Sequence, residues 1–459
     1  MKIKLEHAAR VMRGSLTGRP EAVATGVSIN SGEVSPGDLF FALKGRVQDG
    51  HDYVEAALAG GAAAVVTGRE MLEIDDPAAS VIVTPSPEHA LVALGAWVRD
   101  TEDPLVVGIT GSTGKTSVKD LLGAVAGSCM PTIASKKSFN NDLGVPLTLC
   151  SIKPETEVVV CEMGSRGPGH IARLCEYARP HIGIVTNIGL THFEQFGGQS
   201  QIADAKGELI SSLPEGGAAI LNSDDPLVMP MANLSDANVM TFGLNPQADV
   251  RAEDIRFNDL GQPTFRIAYR GDAVTVALRV AGLHQVSNSL AAAAGAICLG
   301  LSLGDCLRGL ENASVSQWRM EVAVHQGVRF VNDAYNASPS SVESAIRTCA
   351  VMAGGSGRLI VVLGHMAELG SISENEHRRV GELAATLASR LVVVGSQTIP
   401  AAEAAIGAGM REVEVAADPD SAAQAVGPLG PGDVVLVKAS RVAGLEAVTQ
   451  MAAMALNTP

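Results

Sequence analysis

At 459 residues the chain is long enough for about three domains, and its 46% hydrophobic content supplies cores for them. Aromatic residues make up 3% and the formal net charge is −15, without a Lys/Arg cluster. That balance excludes a base-stacking or polyanion-binding surface, so nucleic acid and anionic membrane are not expected partners. The seven cysteines are scattered and never spaced CxxC, the N-terminus lacks a signal-peptide apolar core, and the longest apolar run, residues 290–303, is too short to cross a bilayer. A cytoplasmic protein with reduced thiols and no membrane insertion is expected.

Residues 1–100 read as a small α/β domain. Residues 38–43, 62–66 and 81–83 are strand-like, 53–58 and 90–99 helix-like, and Asp100-Thr101-Glu102-Asp103-Pro104 is a polar linker.

Residues 101–313 form a central domain that opens with the β-branched run Leu105-Val106-Val107. Gly108-Ile109-Thr110-Gly111-Ser112-Thr113-Gly114-Lys115-Thr116-Ser117 comes next, and then Val118, Leu121, Leu122 and Val125 at helical spacing. Strand, glycine-rich turn and helix make a phosphate site for a physical reason. Glycines let backbone N–H groups close on the phosphates, and a helix N-terminus adds partial positive charge. Lys115 is placed to reach the outer phosphates and the Thr116 hydroxyl to ligate Mg²⁺. The segment is T-G-x-x-G-K-T, with Ile109 where the strict pattern has its first glycine. Short apolar strands at 158–162, 182–187 and 218–222 suit a parallel sheet covered on both faces. Residues 249–280 alternate polar and apolar, as an antiparallel flap, and an Ala-rich helix runs over 287–299. Residues 314–459 restart the alternation as a Rossmann-like α/β domain, with strands at 329–332, 359–363, 391–394 and 433–437 and helices at 338–352 and 374–387. No G-x-G-x-x-G follows any of these strands.

Five segments could carry chemistry. Glu162 ends a strand and could hold Mg²⁺ beside the phosphate loop, since ligands gather at the carboxyl ends of parallel strands. Asn187 and His192 come after another strand, where His192 is either a structural histidine or part of the same rim. Lys206 shares the apolar stripe of its helix with Ile202, Leu209 and Leu213. It is either a snorkelling lysine paired with Glu208 or an acid elsewhere, or a buried amine open to modification. Asn288 either caps the Ala-rich helix or reads an adenine edge. Asp333 either closes a turn or faces the crevice of the third domain.

Taken together, T-G-S-T-G-K-T (110–116), C-E-M-G (161–164), T-N-I-G-x-T-H (186–192), A-K-G-E-L (205–209), G-L-H-x-x-x-N-x-x-A-A (282–292) and W-R-M-E (318–321) resemble, in order and spacing, the signatures of the Mur ligases. These are ATP-dependent amide-bond-forming enzymes of peptidoglycan precursor synthesis. The resemblance implies three domains: a small UDP-sugar-binding α/β domain, a central P-loop ATPase-type parallel-sheet domain, and a Rossmann-like third domain. The stretches 138–149, 332–339 and 363–370 point to the branch that adds D-Ala-D-Ala to UDP-N-acetylmuramoyl-tripeptide; a related ligase with a different acceptor is the alternative.

By that resemblance the amides of Gly111, Ser112, Thr113 and Gly114, together with Lys115, hold the ATP phosphates. Thr116 and Glu162 are similar to ligands of one Mg²⁺, and His192 to a ligand of a second. Lys206 matches a lysine that is carbamylated, which turns a buried cation into an anion able to bind metal. Asn288 and Asp333 match adenine and ribose contacts, and Arg319 a phosphate-side arginine. Ser31, Asn140, Asn141 and Asn336 are the implied substrate contacts, and a monomer is expected. Where the family usually has D-[ST]-R, this chain has Asn30-Ser31-Gly32; Gln285 and Ala439 are lesser departures.

Overall fold

The computed structural model describes residues 1–45, 47–69, 79–355 and 357–456. Among the described residues three large sheets carry an α/β fold. The first has five strands in the order Ser15–Thr17, Val81–Val83, Ala64–Thr67, Asp38–Phe41 and Gly26–Ser28, parallel except at the Ser15–Thr17 edge.

The second sheet has nine strands. Its parallel part runs Thr132–Ala134, Val158–Glu162, Leu105–Thr110, Ile182–Val185, Ala218–Asn222, Asn238–Gly243 and Val250–Phe257. Pro263–Tyr269 and Asp272–Ala277 extend it antiparallel. The polar–apolar alternation of 249–280 therefore marks the end of the main sheet, with one face buried in the core and the other wet, and not a separate flap.

The third sheet has six strands: Glu321–His325, Val328–Asp333, Val434–Lys438, Leu359–Leu363, Arg390–Val394 and Val413–Ala416, parallel apart from the first. Its buried strands are runs of Val, Ile and Leu, as a sheet covered on both faces requires. The periodicity of the Ala-rich segment undershoots its start. The helix is Leu283–Cys298, a turn longer at its N-terminus, which puts Asn288 inside it and not at its cap.

The cores show how the sheets are joined. One continuous apolar cluster takes Leu39, Val66 and Ile82 from the first sheet and Val106, Val159 and Cys161 from the second. Leu91, Leu94 and Val98 of the helix Pro87–Glu102 lie between them. That helix crosses the helix Gly144–Cys150 so closely that a Cβ on Gly95 would stand 3.0 Å from the Pro146 carbonyl oxygen. The other face of the second sheet packs on the helices Lys115–Gly127, Leu283–Cys298 and Leu303–Asn312. The third sheet has separate cores on its two faces. The carboxyl ends of the second and third sheets meet at a polar cavity of about 850 Å³.

Candidate active site

The cavity begins at the turn after Leu105–Thr110. Gly111 (φ +142°) and Gly114 (φ +83°) hold backbone conformations that side chains rarely adopt. A Cβ on Gly111 would collide with Thr186 Oγ1, and one on Gly114 would lie 2.5 Å from Asn288 Oδ1. The turn is braced from the neighbouring strand end. Asn187 Oδ1 accepts from Thr113 N at 3.0 Å, Thr186 Oγ1 donates to the Thr113 carbonyl at 2.6 Å, and the Ser112 hydroxyl accepts from Gly189 N at 2.8 Å. The helix Lys115–Gly127 starts at Gly114 without a side-chain cap, so its first N–H groups point into the cavity as an anion cradle. Gly114→Ala should therefore weaken triphosphate binding at least about tenfold and lower the thermal midpoint, with backbone strain of about 1–2 kcal/mol added to the clash. Nucleotide titration and a melting curve on the purified variant test this.

Three side chains lock around the start of that helix. Thr116 Oγ1 donates to Glu162 Oε2 at 2.8 Å, and Asn140 Nδ2 donates to Glu162 Oε1 at 2.7 Å. Arg319 Nη2 donates to the same Thr116 hydroxyl at 3.0 Å, while its guanidinium lies 4.2 Å over the Tyr335 ring. Glu162 is 1% exposed, and its hydrogen-bond donors among the described residues are neutral. Lys115 Nζ donates to the Gly111 carbonyl at 2.6 Å and to that of Ser112 at 3.3 Å. Burial lowers its pKa, an effect opposed by Glu162 and increased by Arg319.

Lys206 settles one of the open readings. It is 2% exposed on the helix Gln199–Ser211 and, among the described residues, has no hydrogen-bond or ion-pair partner. Glu208 is committed elsewhere: it accepts from Gly169 N at 2.6 Å and from Ala172 N at 3.0 Å, capping the helix His170–Ala178. The snorkelling pair is thus not formed. Burial first, and Lys115 second, push the Lys206 amine down to about 7.

His192 stands in a left-handed conformation (φ +56°) on the same rim, against the Glu368 carboxylate of the third sheet's loop. Burial lowers its pKa, with Glu368 opposing and Lys115 and Lys206 adding to the shift. Asp333 is ion-paired with buried Lys438 at 2.8 Å and accepts from Met320 N at 3.2 Å. Asn288, 7% exposed, donates to Gln285 Oε1 at 3.0 Å.

The cavity wall includes Ser112, Thr113, Gly114, Lys115 and Thr116 of the loop. It also includes Glu162, His192, Lys206, Asn288, Arg319 and Asp333, as well as Asn140, Asn141 and Asn336. Ser31 is not brought there. It lies in the short turn Ser31–Glu33 of the first unit, where the Asn30 side chain accepts from Gly32 N. Two contributors escaped sequence reasoning: Glu368, facing His192, and Lys438, neutralising Asp333. Both follow or end parallel strands on the ligand side of the sheet, which is the signal that could have found them.

The donor set suits a hard cation. A carboxylate, a threonine hydroxyl and an amide line one side, with space for phosphate oxygens. No group of three His, Cys, Asp or Glu side chains is present among the described residues, so a divalent ion here would take part of its coordination from a bound phosphate.

Comparison with known proteins gives a consistent picture. Three family descriptions match: Mur ligase family, catalytic domain, over residues 23–101; Mur ligase middle domain over 109–296; and Mur ligase, glutamate ligase domain, over 318–441. The UDP-N-acetylmuramoyl-tripeptide–D-alanyl-D-alanine ligase of Mycobacterium tuberculosis is 38% identical over 462 residues, covering 92% of this chain and 91% of that protein. The Escherichia coli ligase of the same name is 34% identical over 402 residues, covering 87% of each. Among solved structures, MurF from Acinetobacter baumannii aligns with a TM-score of 0.87 at 28% identity over 99% of both chains. MurF from Thermotoga maritima in complex with ADP aligns at 0.81 and 28% identity, covering 95% of this chain and 98% of that one.

Proposed function

This chain belongs to the Mur ligase family, and from that membership we propose that its cavity joins D-Ala-D-Ala to a UDP-N-acetylmuramoyl-tripeptide, with ATP as the energy source, in peptidoglycan precursor synthesis. It is an ATP-dependent ligase. The observation that carries the site assignment is the Thr116–Glu162–Asn140 cluster at the start of the helix after the phosphate loop, lining one cavity with Lys206, which has no partner among the described residues.

A carboxylate is a poor acylating agent, so the reaction needs two steps. The terminal carboxylate oxygen of the tripeptide attacks the γ-phosphorus as the β,γ-bridging P–O bond breaks, giving an acyl phosphate and ADP. The D-Ala-D-Ala amine then attacks the acyl carbon, the C–O bond to phosphate breaks, and the amine proton is lost. Lys115 and the amides of residues 111–114 neutralise and orient the phosphates. Asn288 and Asp333 take the adenine and ribose, with Lys438 fixing Asp333 in place. Arg319 couples the third unit to the Thr116 hydroxyl. Two Mg²⁺ ions, when bound, would screen the charge of the transferring phosphoryl group. Thr116 and Glu162 are the residues to hold one, and His192 and carbamylated Lys206 the other. Closure of the third unit over the central one excludes water from the acyl phosphate.

Ser31 belongs to a separate place, the UDP end of the substrate on the first unit, with Asn140, Asn141 and Asn336 nearer the peptide. A monomer is the proposed assembly state. All seven cysteines are free, and no helix among the described residues is long and apolar enough to cross a membrane; a cytoplasmic place is proposed from the family membership. ADP release with UDP-muramoyl-tripeptide should require D-Ala-D-Ala and respond poorly to single amino acids. ADP release independent of any amine would point instead to an ATPase or kinase.

A further inference from the structure

A second hollow, of about 390 Å³, is walled by Lys119, Asp120, Ser135 and Lys137 and by the connecting segment through Ser314 and Ser316. That segment joins the helix Leu303–Asn312 of the central unit to the strand Glu321–His325 of the third. Asp120 uses both carboxylate oxygens there. Oδ2 accepts from Ser316 N at 2.9 Å and from Ser316 Oγ at 2.8 Å, while Oδ1 pairs with Lys119 Nζ at 2.6 Å. Lys119 is itself buried and donates to the carbonyls of Ser135 at 2.9 Å and Lys137 at 3.0 Å, just before Ser138 and Asn140.

The spacing gives this network its meaning. Thr116 and Asp120 are four residues apart on the helix Lys115–Gly127, hence on one face. Ser316 and Arg319 are three apart on the connecting segment. Ser316 is tied to Asp120, and Arg319 reaches Thr116 at 3.0 Å, so the segment is clamped along the helix at two points. On either side of Arg319 the backbone is strained: Trp318 and Met320 both have positive φ, +58° and +53°, and Arg441 stacks 4.4 Å over the Trp318 ring. A strained turn delivers a side chain accurately only if its entry point is fixed.

We propose that Asp120 is a positioning residue for the ligation: it anchors the connecting segment so that Arg319 is delivered to the Thr116 hydroxyl beside the phosphates. This rests on the assignment of Thr116 to the nucleotide site. Asp120 does not line the central cavity and is proposed to act through Ser316 and Arg319.

The test is a double-variant cycle in the full-length protein, with ADP release, the KM for ATP and the thermal midpoint measured for each variant. Asp120→Ala should lower kcat about tenfold or more while the KM for ATP stays within about threefold, because the phosphate loop is untouched. Asp120→Asn, which keeps an acceptor for Ser316, should recover much of the loss. Asp120→Ala with Arg319→Ala should be no slower than Arg319→Ala alone. Wild-type kcat in Asp120→Ala, or losses that multiply in the double variant, would overturn the anchor. If Asp120→Ala does not fold, the same cycle is run with Ser316→Ala and Arg319→Ala, and multiplying losses there overturn it equally. A wild-type protein that never releases ADP with D-Ala-D-Ala would strike at the ligase reading instead.

Discussion

Lys115→Ala should abolish ADP release, by about a thousandfold or more, while UDP-muramoyl-tripeptide still binds with near-native affinity. The ammonium is the one cation that the loop itself carries, and its carbonyl contacts hold it over the turn. Losing a single preorganised donor aimed at a developing charge costs about 10²–10³ in kcat, and Lys115 supplies a full charge in a site shielded from water. Lys115→Arg should fail almost as badly, since a planar guanidinium cannot occupy a pocket shaped for a compact ammonium. The substrate's uridine end is assigned to the first unit, far in sequence from the loop, so calorimetric titration with the UDP-sugar separates binding from turnover. Comparable turnover in Lys115→Ala would remove the assigned role.

Lys206→Ala is expected to be nearly inactive and to regain part of its activity with added short carboxylates such as formate or acetate. An unpartnered amine held near 7 is substantially neutral at physiological pH, and a neutral amine is the form that adds carbon dioxide. The depression also sets the sign of the pH dependence. Because the folded value lies below the ordinary 10.5, the neutral form gains as pH rises through about 7. Buffer stripped of bicarbonate should therefore cost the wild type more activity at pH 6 than at pH 8, with bicarbonate restoring it. The same depression means that the unmodified lysine destabilises the fold most below pH 7, and that this penalty fades towards 10.5. Full activity of the unsupplemented Lys206→Ala variant would count against the carbamate.

Local pattern reveals much of this site, because chemistry at the ends of parallel strands derives directly from strand position. Glu162, His192 and Asp333 are each legible from an apolar strand and the few residues after it, and Lys206 from the apolar stripe of its helix. Pairings across sequence are not legible. That Glu208 caps a helix 36 residues upstream, leaving Lys206 alone, depends on how two helices pack. That Glu368 faces His192 depends on how the third sheet meets the second. Asn288 is misplaced by sequence for a local reason: Leu283-His284-Gln285-Val286 looks like a loop until the helix is seen to begin there. The strands Thr132–Ala134 and Asn238–Gly243 escape a reading by pattern because edge and rim strands here are short or half-exposed, with weak alternation.

The helix Pro87–Glu102 has a consequence for how such chains can be recombined. The polar run 100–104 reads as a linker in sequence, yet its first three residues are the helix's last; the helix shares its buried side with the central sheet, and Gly95 presses on Pro146. A chimera cut there would bring together two half-interfaces that never matched, whereas exchanging the first 312 residues as a block would leave that interface intact. Modularity in this molecule is thus two-part, although its large sheets among the described residues number three.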